Sequence, residues 1–170
     1  MADAALFLDR DGTLVEDNGY VHQISDFKLM DGVIEGLKLA SEKGFKLFIV
    51  TNQGGIGLEK FNVNDMSLFN QKLLELFSYN KIYVTAIKYC PHHPNAIKES
   101  MRLCNCRKPS AKMLFDISEE YNIDLKKSFM IGNSQIDVDT GLNAGCKTLL
   151  IKEKNFYESL LPILDKGTSE

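Results

Sequence analysis

Five short apolar runs punctuate the chain: AALFLD at 4–9, KLFIVT at 46–51, IYVTAIKY at 82–89, SFMIG at 128–132 and KTLLI at 147–151. They are rich in β-branched and aromatic residues, and each is short enough for a strand buried on both faces. Longer stretches with helical spacing lie between them. VIEGLKLASEKG puts Val33, Leu37 and Ala40 on one face and stops at Gly44, VNDMSLFNQKLLELF carries Asp65 near its start, and PSAKMLFDISEEY opens with Pro109 at an expected first helical turn. SQIDVDTGLNAG predicts a shorter fourth helix, and the tail KNFYESLLPILDKGTSE can complete one more without carrying a catalytic motif. This alternation predicts an α/β protein with a mostly parallel sheet covered on both faces, its polar groups gathered at the carboxyl ends of the strands.

A length of 170 residues fits one domain spanning 1–170, large enough to bury a core without covalent staples. A hydrophobic content of 44%, a charged content of 25% and a net charge of -3 carry no signal for nucleic acid or an anionic membrane, which leaves a small molecule or a protein as the expected partner; a monomer acting on a small molecule is expected. No apolar run approaches the ~20 residues that span a bilayer. The N-terminal stretch MADAALFLDRDG reads as a strand rather than a leader, and a cytoplasmic location is expected.

The strand ends carry the candidate chemistry. LFLDRDGTL places Asp9 and Asp11 two apart as the first strand finishes, so strand periodicity aims both carboxylates to one side before Gly12 turns the chain. Adjacent carboxylates repel unless a cation sits between them, and Mg²⁺, hard and oxygen-seeking, fits that place. Two solvated aspartates in a turn would explain this pair taken alone. KLFIVTNQGGIG ends at Thr51 before a glycine-rich turn whose amides can cradle phosphate oxygens. CRKPS sets Lys108 before Pro109, at an expected helix N-terminus where an anion is favoured, and FMIGNSQIDVD runs through Gly132 to Asn133 with Asp137 four residues on.

A second cluster lies in YCPHHPNAIKESMRLCNCRKP. Cys90, a histidine two or three residues later (His92 or His93), Cys104 and Cys106 supply the four soft or borderline ligands of a closed tetrahedral Zn²⁺ site. Such a site has no open position for water and would organise the loop at 90–106 rather than hydrolyse anything. A disulfide between Cys104 and Cys106 is disfavoured by their closeness and by the expected compartment. Cys146 lies outside the cluster and reads as a packing residue.

Taken in order, the Asp-x-Asp-Gly-Thr, Thr-Asn, Lys-Pro and Gly-Asn-x-x-x-Asp segments resemble the four motifs of the haloacid dehalogenase-like phosphatases, from about Ala5 to Ile151. Within that superfamily, FLDRDGTLVEDNGYVHQISDF, TNQGGIG and the CPHHP and CNCRKP segments are similar to the branch acting on the 7-phosphate of D-glycero-D-manno-heptose 1,7-bisphosphate, with the histidinol-phosphate phosphatases as neighbours. The resemblance implies a Rossmann-like three-layer α/β/α sandwich without a large cap domain and with the zinc loop near the active site. It implies Asp9 as nucleophile, Asp11 as general acid and base, Thr51 and Lys108 as phosphoryl stabilisers, and Mg²⁺ held by the Asp9 side chain, the Asp11 carbonyl and residue 133. Asp137 would orient Lys108 or a metal-bound water. Asp17, Asn18, Gly19, Tyr20, Asn52, Gln53, Gly54, Arg107 and Ser134 would touch a sugar phosphate, and His92 would be the zinc histidine.

Two positions depart from that pattern. The family carries aspartate where this chain has Asn133, and an amide offers Mg²⁺ an oxygen without a negative charge, so weaker metal binding is expected. In GIGLEKF, Leu58 stands near the place of an expected arginine, with Lys60 as a substitute anchor for the remote phosphate. Two other classes use similar parts. A receiver domain normally carries its phosphoacceptor after a middle strand and has no need of a zinc loop; a zinc-stabilised binding module would have lost turnover at Asn133.

Overall fold

The computed structural model describes residues 2–152 and 155–164. Five parallel strands, β1 (Ala5–Leu8), β2 (Lys46–Asn52), β3 (Val84–Cys90), β4 (Phe129–Gly132) and β5 (Lys147–Leu150), form one sheet in the order β3-β2-β1-β4-β5. Helices α1 (Val33–Glu42), α2 (Val63–Tyr79), α3 (Lys112–Tyr121), α4 (Gln135–Ala144) and α5 (Phe156–Leu164) cover it. The first strand is thus the middle one, and its carboxyl end meets those of β2 and β4. Ligands of open parallel sheets bind at such a point, where the strand order reverses.

Strand alternation sorts the core into two layers. Leu6 and Leu8 face the side packed by α1, α2 and α5, through Val33, Leu37, Phe69, Leu73, Phe156 and Leu160. Ala5 and Phe7 face the opposite side, where Met113, Leu114 and Ile117 of α3 and Ala144 of α4 lie. The three-layer α/β/α arrangement is therefore present, and no large cap domain occurs among the described residues. The expectation of burial on both faces holds for β1 and the middle of β2; β3 and β5 are sheet edges and remain partly exposed.

The local signals hold in most places. Asn62 and Asp65 form a reciprocal capping box at the start of α2, each side chain accepting the other's backbone N–H at 3.0 and 2.9 Å. Gly44, at φ 86°, takes the left-handed conformation after α1. The expected start of α3 at Pro109 is corrected, because that helix begins at Lys112. Residues 107–110 close their own turn, Ser110 N donating to Arg107 O (2.9 Å), and the Asn52 side chain clasps the Lys108 backbone on both sides, at 2.9 and 3.1 Å. Lys108 is consequently pinned to the end of β2 and does not sit at a helix N-terminus.

Candidate active site and zinc loop

The carboxyl ends of β1, β2 and β4 open on a cavity of about 400 Å³. Asp9 and Asp11 reach it from β1, Thr51, Asn52, Gln53 and Gly54 from β2, and Asn133, Ser134 and Asp137 from the β4–α4 turn. Arg107 and Lys108 close one side, and Asp17, Gly19 and Tyr20 form part of the rim. Asn18 is exposed in the same rim turn, where Gly19 N donates to Asp17 Oδ1 (2.8 Å), and does not line the cavity. Phe61 and Ile136, which carry no motif, also line it, as does His93, the alternative zinc ligand.

Lys108 is the electrostatic pivot. Its buried Nζ donates to Asp9 Oδ1 (2.8 Å), Asp137 Oδ1 (2.6 Å) and Val50 O (3.1 Å). Asp137 Oδ2 accepts from Ser134 N (3.2 Å) and Ser134 Oγ (2.8 Å), so one carboxylate both caps α4 and holds Lys108. Gly132 makes this possible, since a Cβ there would collide with the Asp137 carboxylate. Burial pushes Asp9 up to about 6 and Asp137 adds to the effect, against the pull of Lys108. Burial works against the charge on Lys108, yet Asp9 and Asp137 together outweigh it and raise its ammonium above the ordinary lysine range.

Arg10 was not singled out by its sequence context, yet its side chain is fully buried beside this centre. Its Nε and Nη2 donate to the two oxygens of Asp11 at 2.6 and 3.1 Å. Nη1 donates to Asn70 Oδ1 of α2 (2.8 Å), and Nη2 also to Val21 O (2.9 Å) and Gln53 Oε1 (3.0 Å). Its guanidinium lies 4.7 Å over the ring of Phe69. A signal was available: continuing the alternation of Leu6 and Leu8 aims residue 10 into the layer under α2, where a charge must find partners.

The chemistry of the donor set fits Mg²⁺. Asp9, Asp11 and Asn133 meet at the cavity and offer oxygen donors of the kind that hard cation takes, while the Asp11 and Asp137 carboxylates are engaged by Arg10 and Lys108. Gly12, at φ 78°, leaves the space that the Asn133 amide fills, since a Cβ at Gly12 would strike it. The Asn133 side chain is thereby brought beside the aspartate turn.

The four predicted zinc ligands come together. One ligand atom each from Cys90, His92, Cys104 and Cys106 lies within 4.8 Å of the others. Cys90 Sγ is 3.6 Å from both Cys104 Sγ and His92 Nδ1, and Cys106 Sγ is 3.4 Å from that nitrogen. Zn–S bonds of about 2.3 Å at tetrahedral angles imply ligand separations of this size. The choice left open by spacing falls to His92, because His93 Nδ1 accepts instead from Asn95 N (3.0 Å). Burial and then the hydrogen bond with Cys106 push the Cys90 thiol upward, which a bound cation would reverse. The cluster touches the cavity through Arg107, whose Nη1 donates to His92 O (3.0 Å).

At the rim, Lys60 Nζ sits 4.5 Å over the Tyr20 ring and His22 stacks on Phe61 at 4.7 Å. These contacts join the rim turn to the segment after β2 and bring Lys60, rather than Leu58, against the rim.

The family described as polynucleotide kinase 3 phosphatase matches residues 4–157. The D-glycero-beta-D-manno-heptose-1,7-bisphosphate 7-phosphatase of Escherichia coli K12 is 37% identical over 149 residues, which are 86% of this chain and 78% of that protein. Its counterpart in Haemophilus ducreyi is 39% identical over 156 residues, 89% of this chain and 84% of that protein. The crystal structure of D,D-heptose 1,7-bisphosphate phosphatase from B. bronchiseptica, complexed with magnesium and phosphate, matches with a TM-score of 0.79 at 25% identity, covering 94% of this chain and 86% of that one. The chain belongs to the polynucleotide kinase 3 phosphatase family of haloacid dehalogenase-like phosphatases, and is an enzyme of that phosphatase class.

Proposed function

We propose that the chain hydrolyses the 7-phosphate of D-glycero-D-manno-heptose 1,7-bisphosphate through an aspartyl-phosphate on Asp9. The observation that carries this reading is the buried Asp9 carboxylate at the end of the middle strand, its Oδ1 held by Lys108 and its other oxygen left for attack. It is supported by relatives that carry this activity in their names. Attack of Asp9 on phosphorus breaks the bond to the sugar oxygen, which takes a proton from Asp11. Water then gives its proton to Asp11 and attacks the aspartyl-phosphate, releasing phosphate and restoring Asp9. Lys108 and the Thr51 hydroxyl hold charge on the transferring oxygens, and Asp137 holds Lys108 in place. Mg²⁺, held by Asp9, the Asp11 carbonyl and Asn133, would supply charge neutralisation for the approaching phosphate. Zn²⁺ on Cys90, His92, Cys104 and Cys106 would fix the loop that presents Arg107. The rim residues Asp17, Gly19 and Tyr20, with Asn52, Gln53, Gly54 and Ser134, would bind the sugar.

The test is phosphate release from both anomers of the heptose bisphosphate and from histidinol phosphate, with and without added Mg²⁺, for the native chain and Asp9→Asn. The reading expects Mg²⁺-dependent turnover that favours a heptose anomer and is lost in Asp9→Asn. Preference for histidinol phosphate would reassign the substrate, and turnover surviving in Asp9→Asn would sink the mechanism.

A further inference from the structure

We infer that Arg10 is a positioning residue for Asp11, and that Asn70 on α2 anchors it; this rests on Asp11 being the general acid of the proposed reaction. Asp11 stands in the turn after β1, beyond the hydrogen-bonded part of the strand, with its side chain partly open to the cavity. Backbone geometry alone would leave it a choice of rotamers, each placing its oxygens differently. Arg10 removes that choice: its planar fork meets both carboxylate oxygens, a geometry that fixes orientation as well as distance.

The fork is itself over-determined. Nη1 is tied to Asn70 in the second turn of α2, Nη2 to Val21 O on the rim segment, and the guanidinium face lies on Phe69. Asn70 is a buried polar side chain whose one hydrogen bond from a side chain, among the described residues, comes from Arg10. Gln53 extends the set, accepting from Arg10 and donating to Asp11 Oδ2 (3.0 Å) and Thr51 Oγ1 (2.8 Å). One buried guanidinium thereby fixes the acid relative to a phosphoryl-binding hydroxyl through a single intervening amide. A lysine would keep the charge but lose the fork.

A residue that only stabilises the fold would affect all substrates alike. A residue that positions the acid matters most where the leaving group needs a proton. The experiment compares kcat/KM for the heptose bisphosphate, an alkyl ester, with that for p-nitrophenyl phosphate, whose leaving group departs without one. Asp11→Asn provides the reference. Arg10→Lys is expected to lower the alkyl-ester value about 10²-fold while changing the aryl-ester value by less than about threefold. Asn70→Ala, which leaves both site residues in place, is expected to show the same selectivity at about tenfold. Equal loss on both esters, or none, in a folded Arg10→Lys protein overturns the inference. If that protein does not fold, Asn70→Ala decides by the same criterion. If Asp11→Asn itself shows no preference between the esters, the general-acid reading fails instead.

Discussion

Asn133 and Lys108 set the charge at the centre of the site. A family aspartate at 133 would add an anion beside Asp9, Asp11 and Asp137, whereas the amide supplies only a neutral oxygen. Asn133→Asp is expected to lower the Mg²⁺ concentration for half-maximal activity by about tenfold, or ~1.4 kcal/mol; an unchanged half-saturation would remove the argument. Lys108 separates two buried carboxylates. Lys108→Met leaves them uncompensated and is expected to cost about 3–5 kcal/mol of stability in Mg²⁺-free buffer. Urea melts would show it, and added Mg²⁺ is expected to recover part of the loss through its preference for the folded state. Asp9, Asp11 and Thr51 stand out in the sequence because each lies at or just past a strand end, whereas Lys108, expected at a helix N-terminus, is brought to the site by the clasp of Asn52 on its backbone. Arg10 does not stand out, because a charged residue between two aspartates reads as solvated, and only the partners brought by α2 and the rim segment make its burial tolerable.

Among the elements, the loop between β3 and α3 carries the Cys/His cluster that could hold zinc. Leu103 and Ile97 are exposed on it, so apolar burial does little to order this stretch. Structural zinc in small peptides contributes roughly 10–16 kcal/mol of apparent binding energy. Chelation, or Cys104→Ser, is therefore expected to make residues 91–106 sensitive to limited proteolysis and to raise KM for the heptose bisphosphate as Arg107 loses its anchor on His92 O. Loss of zinc with unchanged kinetics would demote Arg107 as a substrate contact. The ligand spacing is readable as sequence but leaves both histidines open; the family resemblance points to His92, and the structure groups that residue with the three cysteines. The start of α3 departs from its local sequence signal for a related reason. Pro109 is compatible with a first helical turn locally, but Asn52, more than fifty residues earlier, captures the Lys108 backbone and delays the helix to Lys112.

On the scale of the whole molecule, the site sits on a sheet whose two faces are packed independently, and one face is completed by the tail. Nothing in KNFYESLLPILDKGTSE resembles a catalytic motif, so its sequence left it unplaced; the structure packs α5 on α1, with Phe156, Leu160 and Leu164 buried in the same layer as Leu6 and Leu8. Gly36 is the position that admits it, because a Cβ there would press on Phe156 at 2.7 Å and Leu160 at 3.1 Å. This helix reaches the β1 layer through the α1 side of the core and holds none of the cavity-lining residues. Stability and catalysis should then separate. Leu160→Ala removes a fully buried side chain and is expected to cost about 2–5 kcal/mol. It should lower the urea midpoint at constant m-value, because a cavity weakens the native state without changing how much surface unfolding exposes. Below that midpoint KM for the heptose bisphosphate should stay at the native value. A raised KM in the folded variant would mean that α5 supports the strand ends directly, and the separation of the packed layer from the cavity would have to be abandoned.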